Sequence, residues 1–273
     1  METLQSIPGI PFPEYYEFFM DWKTVVGIAS AYVLSVNYFN PSASKAKASR
    51  VAAKSNGATN VSKSSSFMTA LVFAHNLVLA IYSGVTFYNM VIGLHRNYSR
   101  EGVSLSDAYC DRDEFFWNDK LGYWSYLFYL SKYYEVLDTV IILLKGRRSS
   151  LLQTYHHAGA MITMWANVRY RNTPIWIFST FNSFVHTIMY TYYALTSVGI
   201  HPPGKKYITT MQITQFVVGF SVANSYFIVP KCITTRGHKF SLGITVLYLV
   251  PLTYLFVDFA RKTYMKRQSK KTA

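Results

Sequence analysis

Charge is scarce in this chain, and acid is scarcer than base. Only 15% of the 273 residues are Asp, Glu, Lys or Arg, where a soluble domain of this length carries about 25%. Cysteine is nearly absent: Cys110 and Cys232 are the only two, too few for a cysteine-ligated metal site. Glycine-rich phosphate loops, heptad runs and internal repeats are missing as well, so nothing points to a nucleotide-binding loop, a coiled coil or a solenoid. Met1 to Trp22 holds four acids and no base, so no cleavable signal peptide is expected there.

What the chain has instead is apolar length. Hydrophobic residues make up 51% and aromatics 17%. Runs approaching or reaching the roughly 17–25 residues that cross a bilayer cover Thr24 to Phe39, Phe67 to Leu94, Trp124 to Leu144, Leu151 to Val168, Ile175 to Val198, Ile208 to Val229 and Phe240 to Phe259. The pattern predicts an all-α membrane protein with seven transmembrane helices, or six if the short first run is left out. Three segments are expected: 1–23 on one side, a transmembrane domain over 24–259, and a basic tail over 260–273. Ser42 to Ser66, rich in Ser, Ala, Lys and Asn, reads as a mobile loop.

The net charge of +14 would suit nucleic acid, but its distribution argues otherwise. With seven spans, one side holds residues 40–66, 145–150, 199–207 and 260–273, with 16 Lys or Arg and no Asp or Glu. The other holds 1–23, 95–123, 169–174 and 230–239, with 10 bases and 10 acids. The positive-inside rule puts the first set in the cytosol, with the N-terminus across the membrane. Those bases can touch anionic lipid or a phosphorylated substrate; no nucleic-acid partner is expected. Lys270-Lys271-Thr272-Ala273 looks like the dilysine signal that retrieves membrane proteins to the endoplasmic reticulum, an address rather than an anchor. Cys110 and Cys232 then fall on the luminal side, where disulfides form, and a bridge between them is expected.

Four polar runs interrupt the apolar stretches: Lys132-x-x-Glu135-x-x-Asp138-Thr139, Gln153-Thr154-Tyr155-His156-His157, Asn182-x-x-x-His186 and Thr209-x-x-Gln212-x-x-Gln215. A charge at membrane depth costs roughly 2.5–3.5 kcal/mol, so such groups face a bundle interior and mark a site. Helical spacing lets Lys132, Glu135 and Asp138 pair, sets Gln153 within one turn of His156 and His157, and stacks Asn182, His186, Met189, Tyr190 and Tyr193 on one face. Asp138, His156, Tyr190 and Gln215 are expected in the cytosolic half, with His186 nearer mid-depth. One such helix needs only interhelical hydrogen bonding; four adjacent ones suggest a polar chamber.

Two chemistries could use it. Gln-x-x-His-His resembles one histidine box of the di-iron membrane desaturases and hydroxylases. Those need about eight ligands in three boxes, whereas the seven histidines here (75, 95, 156, 157, 186, 201 and 238) form no second box. The other is acyl transfer, in which a neutral imidazole acts as nucleophile or base. A chamber beneath a basic cytosolic face would take a coenzyme A thioester, phosphates at the mouth and tail inside.

The four runs, in this order, resemble the signature set of the ELO family of very-long-chain fatty acid elongases, the condensing enzymes of the endoplasmic reticulum. Leu152-Gln-Thr-Tyr-His-His-Ala-Gly-Ala160 and Asn182-Ser-Phe-Val-His-Thr-Ile-Met-Tyr-Thr-Tyr-Tyr193 are similar to that family almost throughout, as is His75-Asn76, and the likeness runs from about residue 67 to 260. The resemblance implies seven helices, six ringing a narrow acyl tunnel. It also implies condensation of an acyl-CoA with malonyl-CoA to a 3-ketoacyl-CoA, carbon dioxide and CoA, without metal or cofactor. Its partners would be membrane lipid and the ketoreductase, dehydratase and enoyl reductase of the elongation cycle. Most animal and yeast members begin the box with His; Gln153 departs from that and cannot titrate between pH 5 and 8. The Gln form resembles elongases of lower eukaryotes and algae, several acting on polyunsaturated chains.

The expected route is ping-pong: His156 takes the acyl group, then an enolate from malonyl-CoA removes it. His186 and His157 are expected to steady the enolate or move protons, and Asn182, Gln153 and Gln212 to hydrogen-bond the thioester oxygens. Lys132, Glu135 and Asp138 shape the chamber and, with Tyr155, Tyr190, Gln212 and Gln215, form the substrate-binding set. A non-enzymatic lipid-binding membrane protein is the other class, weighed against by the intact His pair with Asn182 and His186.

Overall fold

A computed structural model describes residues 7–42, 44–45 and 66–265. Most of the Ser42 to Ser66 segment and the Lys270-Lys271 tail lie outside the described residues. Within them the chain is helical, with no strand. After a 3-10 turn at Pro13–Tyr15 come α1 (Tyr16–Met20), α2 (Trp22–Phe39), α3 (Ser66–Tyr98), α4 (Leu105–Cys110), α5 (Gly122–Tyr134), α6 (Val136–Leu144), α7 (Leu151–Arg169), α8 (Ile175–Ser197), α9 (Lys205–Ile228) and α10 (Arg236–Ala260).

Local chemistry sets several of the starts. Asp21, Ser150 and Thr235 each accept a backbone N–H from the first turn of α2, α7 and α10 at 3.0–3.2 Å, supplying partners that helix N-termini lack. The expected third span is interrupted at Glu135, which separates α5 from α6. There the Asp138 amide bonds the Glu135 carbonyl at 3.0 Å, three residues back, and such local tightening often marks functional sites.

Helix α3 packs along α8, the most extensive pairing in the molecule. Contacts then run from α8 to α9, α9 to α10, α10 to α7, α7 to α5, and from α5 back to α8 and α3. Helix α2 packs on α7 from outside this circuit. At one end Asn40 and Ser149 exchange hydrogen bonds, Asn40 Nδ2 to the Ser149 carbonyl at 3.1 Å and the Ser149 amide to Asn40 Oδ1 at 2.9 Å. At the other end Cys110 and Cys232 form a disulfide, with Cα atoms 4.8 Å apart. Beside it Arg100 pairs with Asp113, Arg112 with Asp107, and Asp111 accepts the amides of Phe116 and Trp117 at 2.8 Å.

The distribution of polarity is inverted relative to a soluble protein. His75, Asn76, Lys132, Glu135, His157, Asn167 and His186 are buried, while Leu34, Phe67, Ile81, Leu247 and Tyr254 point outward. Ser66–Tyr98 and Arg236–Tyr264 are long and apolar enough to cross a membrane. The break at Glu135 shortens the third run, and Gln153, His156 and His157 lower the apolarity of the fourth.

Candidate active site

The box helix α7 carries two adjacent histidines, and successive residues of a helix point about 100° apart. Their rings, 5.4 Å apart, accordingly face different neighbours. His157 turns towards α2, with its ring edge-on to Tyr32 at 6.2 Å, and Tyr32 bonds Thr139 at 2.9 Å. Gln153, one turn earlier, sets its amide nitrogen 2.8 Å from His157 Nε2. The contact ties the His157 ring to the first turn of the box, and its other nitrogen, Nδ1, is buried without a hydrogen-bond partner among the described residues.

His156 turns the other way, towards α10. It borders a cavity of about 50 Å³ whose lining includes Lys132, Asn182, Gln215, Phe216 and Tyr248. Its Nδ1 lies 2.9 Å from the Tyr248 hydroxyl. Outside the bundle, Phe216 also walls a groove of about 400 Å³ between α9 and α10, with Val217, Val250 and Tyr254.

Lys132, Glu135, Asn182 and His186 close into a ring. Lys132 Nζ donates to Glu135 Oε1 at 2.6 Å and to Asn182 Oδ1 at 3.4 Å. An ammonium only donates, so the Asn182 oxygen must face it and the Asn182 nitrogen faces His186 Nε2, 3.1 Å away. His186 therefore accepts at Nε2 and keeps its proton on Nδ1, 3.8 Å from Glu135 Oε1. Lys132 and Glu135 are both buried, and a buried charge pair persists only where such partners complete it.

The expected set divides in space. Asp138 does not join Lys132 and Glu135; its carboxylate accepts from the Tyr190 hydroxyl at 2.7 Å and lies 2.9 Å from His75 Nε2. Gln212 points its amide at Met189 Sδ, 3.2 Å away. Tyr155 stacks on Tyr248. Of the residues expected to meet substrate, His156, Asn182, Lys132 and Gln215 line the cavity, whereas His157, His186, Gln153 and Gln212 are not among its lining residues. Tyr248 escaped sequence reasoning because it is one of 23 tyrosines and its apolar neighbours give it no motif. Among the described residues, no three His, Cys, Asp or Glu side chains gather as a metal would need.

An apolar exterior around a buried histidine and carboxamide site defines a helical membrane protein with a polar interior. The chain belongs to the ELO: GNS1/SUR4 family, which it matches over residues 17–272. A relative from Schizosaccharomyces pombe is 32% identical over 207 residues, covering 72% of this chain and 61% of its own length. Fatty acid elongase sre1 of Dictyostelium discoideum is 33% identical over 162 residues, 58% of this chain and 60% of that protein. Fatty acid elongase A of the same organism is 32% identical over 204 residues, 71% and 72% respectively. The chain thus spans about three fifths of the length of the first two.

Proposed function

We propose that this protein is a fatty acid elongase that condenses an acyl-CoA with malonyl-CoA, giving a 3-ketoacyl-CoA, carbon dioxide and CoA, with His156 carrying the acyl group between the two halves. The names of the Dictyostelium relatives support elongation. The observation that carries the assignment to His156 is its position: one imidazole nitrogen is held by Tyr248 while the residue borders the cavity that Asn182, Lys132 and Gln215 also line.

The Lys132 ammonium, beside Asn182 at the cavity wall, faces the region where negative charge grows on a thioester or enolate oxygen, the place where fixed charge aids catalysis most. Cavity volume sets a requirement. About 50 Å³ holds no more than a few waters, so Phe181, Phe216 and Leu252 must turn aside when an acyl chain enters. In this reading the helices make seven membrane spans, six of them around the acyl path. The protein resides in the endoplasmic reticulum with the Cys110–Cys232 end in the lumen and the Asn40–Ser149 end in the cytosol. It works with membrane lipid and the other enzymes of the elongation cycle, and takes no metal or cofactor.

The test is expression in a host lacking its own elongases, fed a panel of acyl chains, with products weighed. Wild type should add two carbons to some members of the panel, and His156→Ala to none. Retention of even about a tenth of the activity by His156→Ala, about 1.4 kcal/mol of barrier, removes it as the nucleophile. A non-enzymatic lipid-binding protein would turn over no malonyl-CoA.

A further inference from the structure

The hydroxyl of Tyr248 touches His156 twice, at Nδ1 (2.9 Å) and at its own backbone carbonyl oxygen (3.0 Å). A phenol has one proton, and a carbonyl can only accept. If the phenol proton goes to the carbonyl, the phenol oxygen accepts from Nδ1–H and both contacts are hydrogen bonds. If the proton goes to Nδ1, two oxygens face each other at 3.0 Å with no hydrogen between them. The first arrangement fixes the His156 proton on Nδ1 and leaves the lone pair on Nε2, which makes no hydrogen bond among the described residues.

The seat of Tyr248 is built into the box helix. A Cβ on Gly159 would lie 2.2 Å from Cε2 of the Tyr248 ring, so the ring occupies space that only glycine leaves open. Tyr155 stacks against the ring, with centroids 5.5 Å apart, and donates its hydroxyl to the Tyr248 carbonyl at 3.3 Å. We propose that Tyr248 is the positioning residue that sets the nucleophilic tautomer of His156, and that Gly159 admits its ring. This rests on His156 as the acyl carrier.

The step then balances without moving the Nδ1 proton. Nε2 attacks the thioester carbon, an N–C bond forms, the C–S bond breaks, and CoA leaves as thiolate and takes a proton from water. The acyl-imidazolium keeps Nδ1–H on the phenol oxygen, whose lone pair opposes the new positive charge. Decarboxylation of malonyl-CoA gives an enolate whose carbon takes the acyl group. The C–N bond breaks and its electrons return to Nε2.

The experiment separates the two halves. With acyl-CoA alone, Tyr248→Phe should release CoA roughly 5- to 150-fold more slowly than wild type, the loss expected for one buried hydrogen bond. Acyl-enzyme of Tyr248→Phe, once loaded, should pass its acyl group to malonyl-CoA without slowing, since losing the acceptor destabilises the imidazolium. Gly159→Ala keeps the phenol but displaces it and should give the same split. In unmodified protein, iodoacetamide should carbamidomethylate His156 at Nε2 and not at Nδ1, a measurement that no folding defect can confuse. Equal alkylation of both nitrogens, or slowing of both halves alike, overturns the assignment to Tyr248. Absence of an acyl adduct on His156 in wild type removes the His156 reading itself, a different result.

Discussion

Asp138 lies 2.9 Å from His75, tying α6 to α3, although Glu135, three residues earlier, faces α8. The interruption between α5 and α6 lets one short segment send its two carboxylates to different helices. A regular helix would have kept them closer to one face. Asp138 is thereby an anchor of the wall, and Glu135 a member of the ring beside the cavity.

Asp138→Asn should cost about 1.5–3 kcal/mol, because the Tyr190 hydroxyl loses a charged acceptor. A lower midpoint of thermal unfolding in detergent, with residual turnover in the folded fraction, is the expected result. An unchanged midpoint would show that the His75 and Tyr190 contacts contribute nothing.

Lys132→Met alone leaves Glu135 buried and unpaired and should destabilise by about 3–5 kcal/mol. Lys132→Met with Glu135→Leu should recover most of that stability yet stay inactive, since Asn182 and His186 lose what orients them. Thermal midpoints and turnover of the single and double variants decide this; an active double variant would mean that the ring only fills space.

Gln153→His should be tolerated, while Gln153→Ala loses activity. An imidazole can replace the 2.8 Å bond to His157; a methyl leaves a buried nitrogen unsatisfied, costing about 1–3 kcal/mol. Equal activity of the alanine variant across a whole acyl panel would show that Gln153 orients nothing.

Asn97-Tyr98-Ser99 has the form of a glycosylation acceptor, but the site is closed. The Asn97 side chain is buried, and its amide nitrogen donates to the Ala108 carbonyl at 2.7 Å. Protein made in a glycosylating host should keep its mobility on treatment with an endoglycosidase; a shift lost in Asn97→Gln would show that this end of the bundle is assembled late.

At that same end, Arg112 holds the Asp107 carboxyl below its usual range, after the larger effect of the Ser104 hydroxyl, and Arg100 does so for Asp113. A lowered carboxyl contributes stability above its unfolded value and loses it as pH falls through the folded one. Both groups are exposed, so the effect is small. Limited proteolysis between residues 99 and 116 should accelerate below about pH 4, and less so in the double Asn variant.

Much of this architecture is legible in the chain, because an apolar run has few fates and a polar residue inside one has fewer. The Asn182 and His186 contact follows from spacing of four, and the Lys132–Glu135 pair from spacing of three. The separation of Asp138 does not, since it depends on an interruption that no proline or glycine announces. Nor does the division between His156 and His157. Adjacent histidines suggest a shared task, and only the neighbours of α7 reveal that one meets α10 and the other α2. Tyr248 and Gly159 carry no signal at all, because a close approach of ring to backbone belongs to two helices at once.

The division of α7 bears on how such a chain can vary. Position 153 communicates with the α2 side through His157, and position 156 with the α10 side through Tyr248. The first residue of the box can therefore change to another hydrogen-bonding side chain while the face that meets Tyr248 keeps its contacts. The box is thus two adjoining surfaces, one answering to α2 and the other to α10.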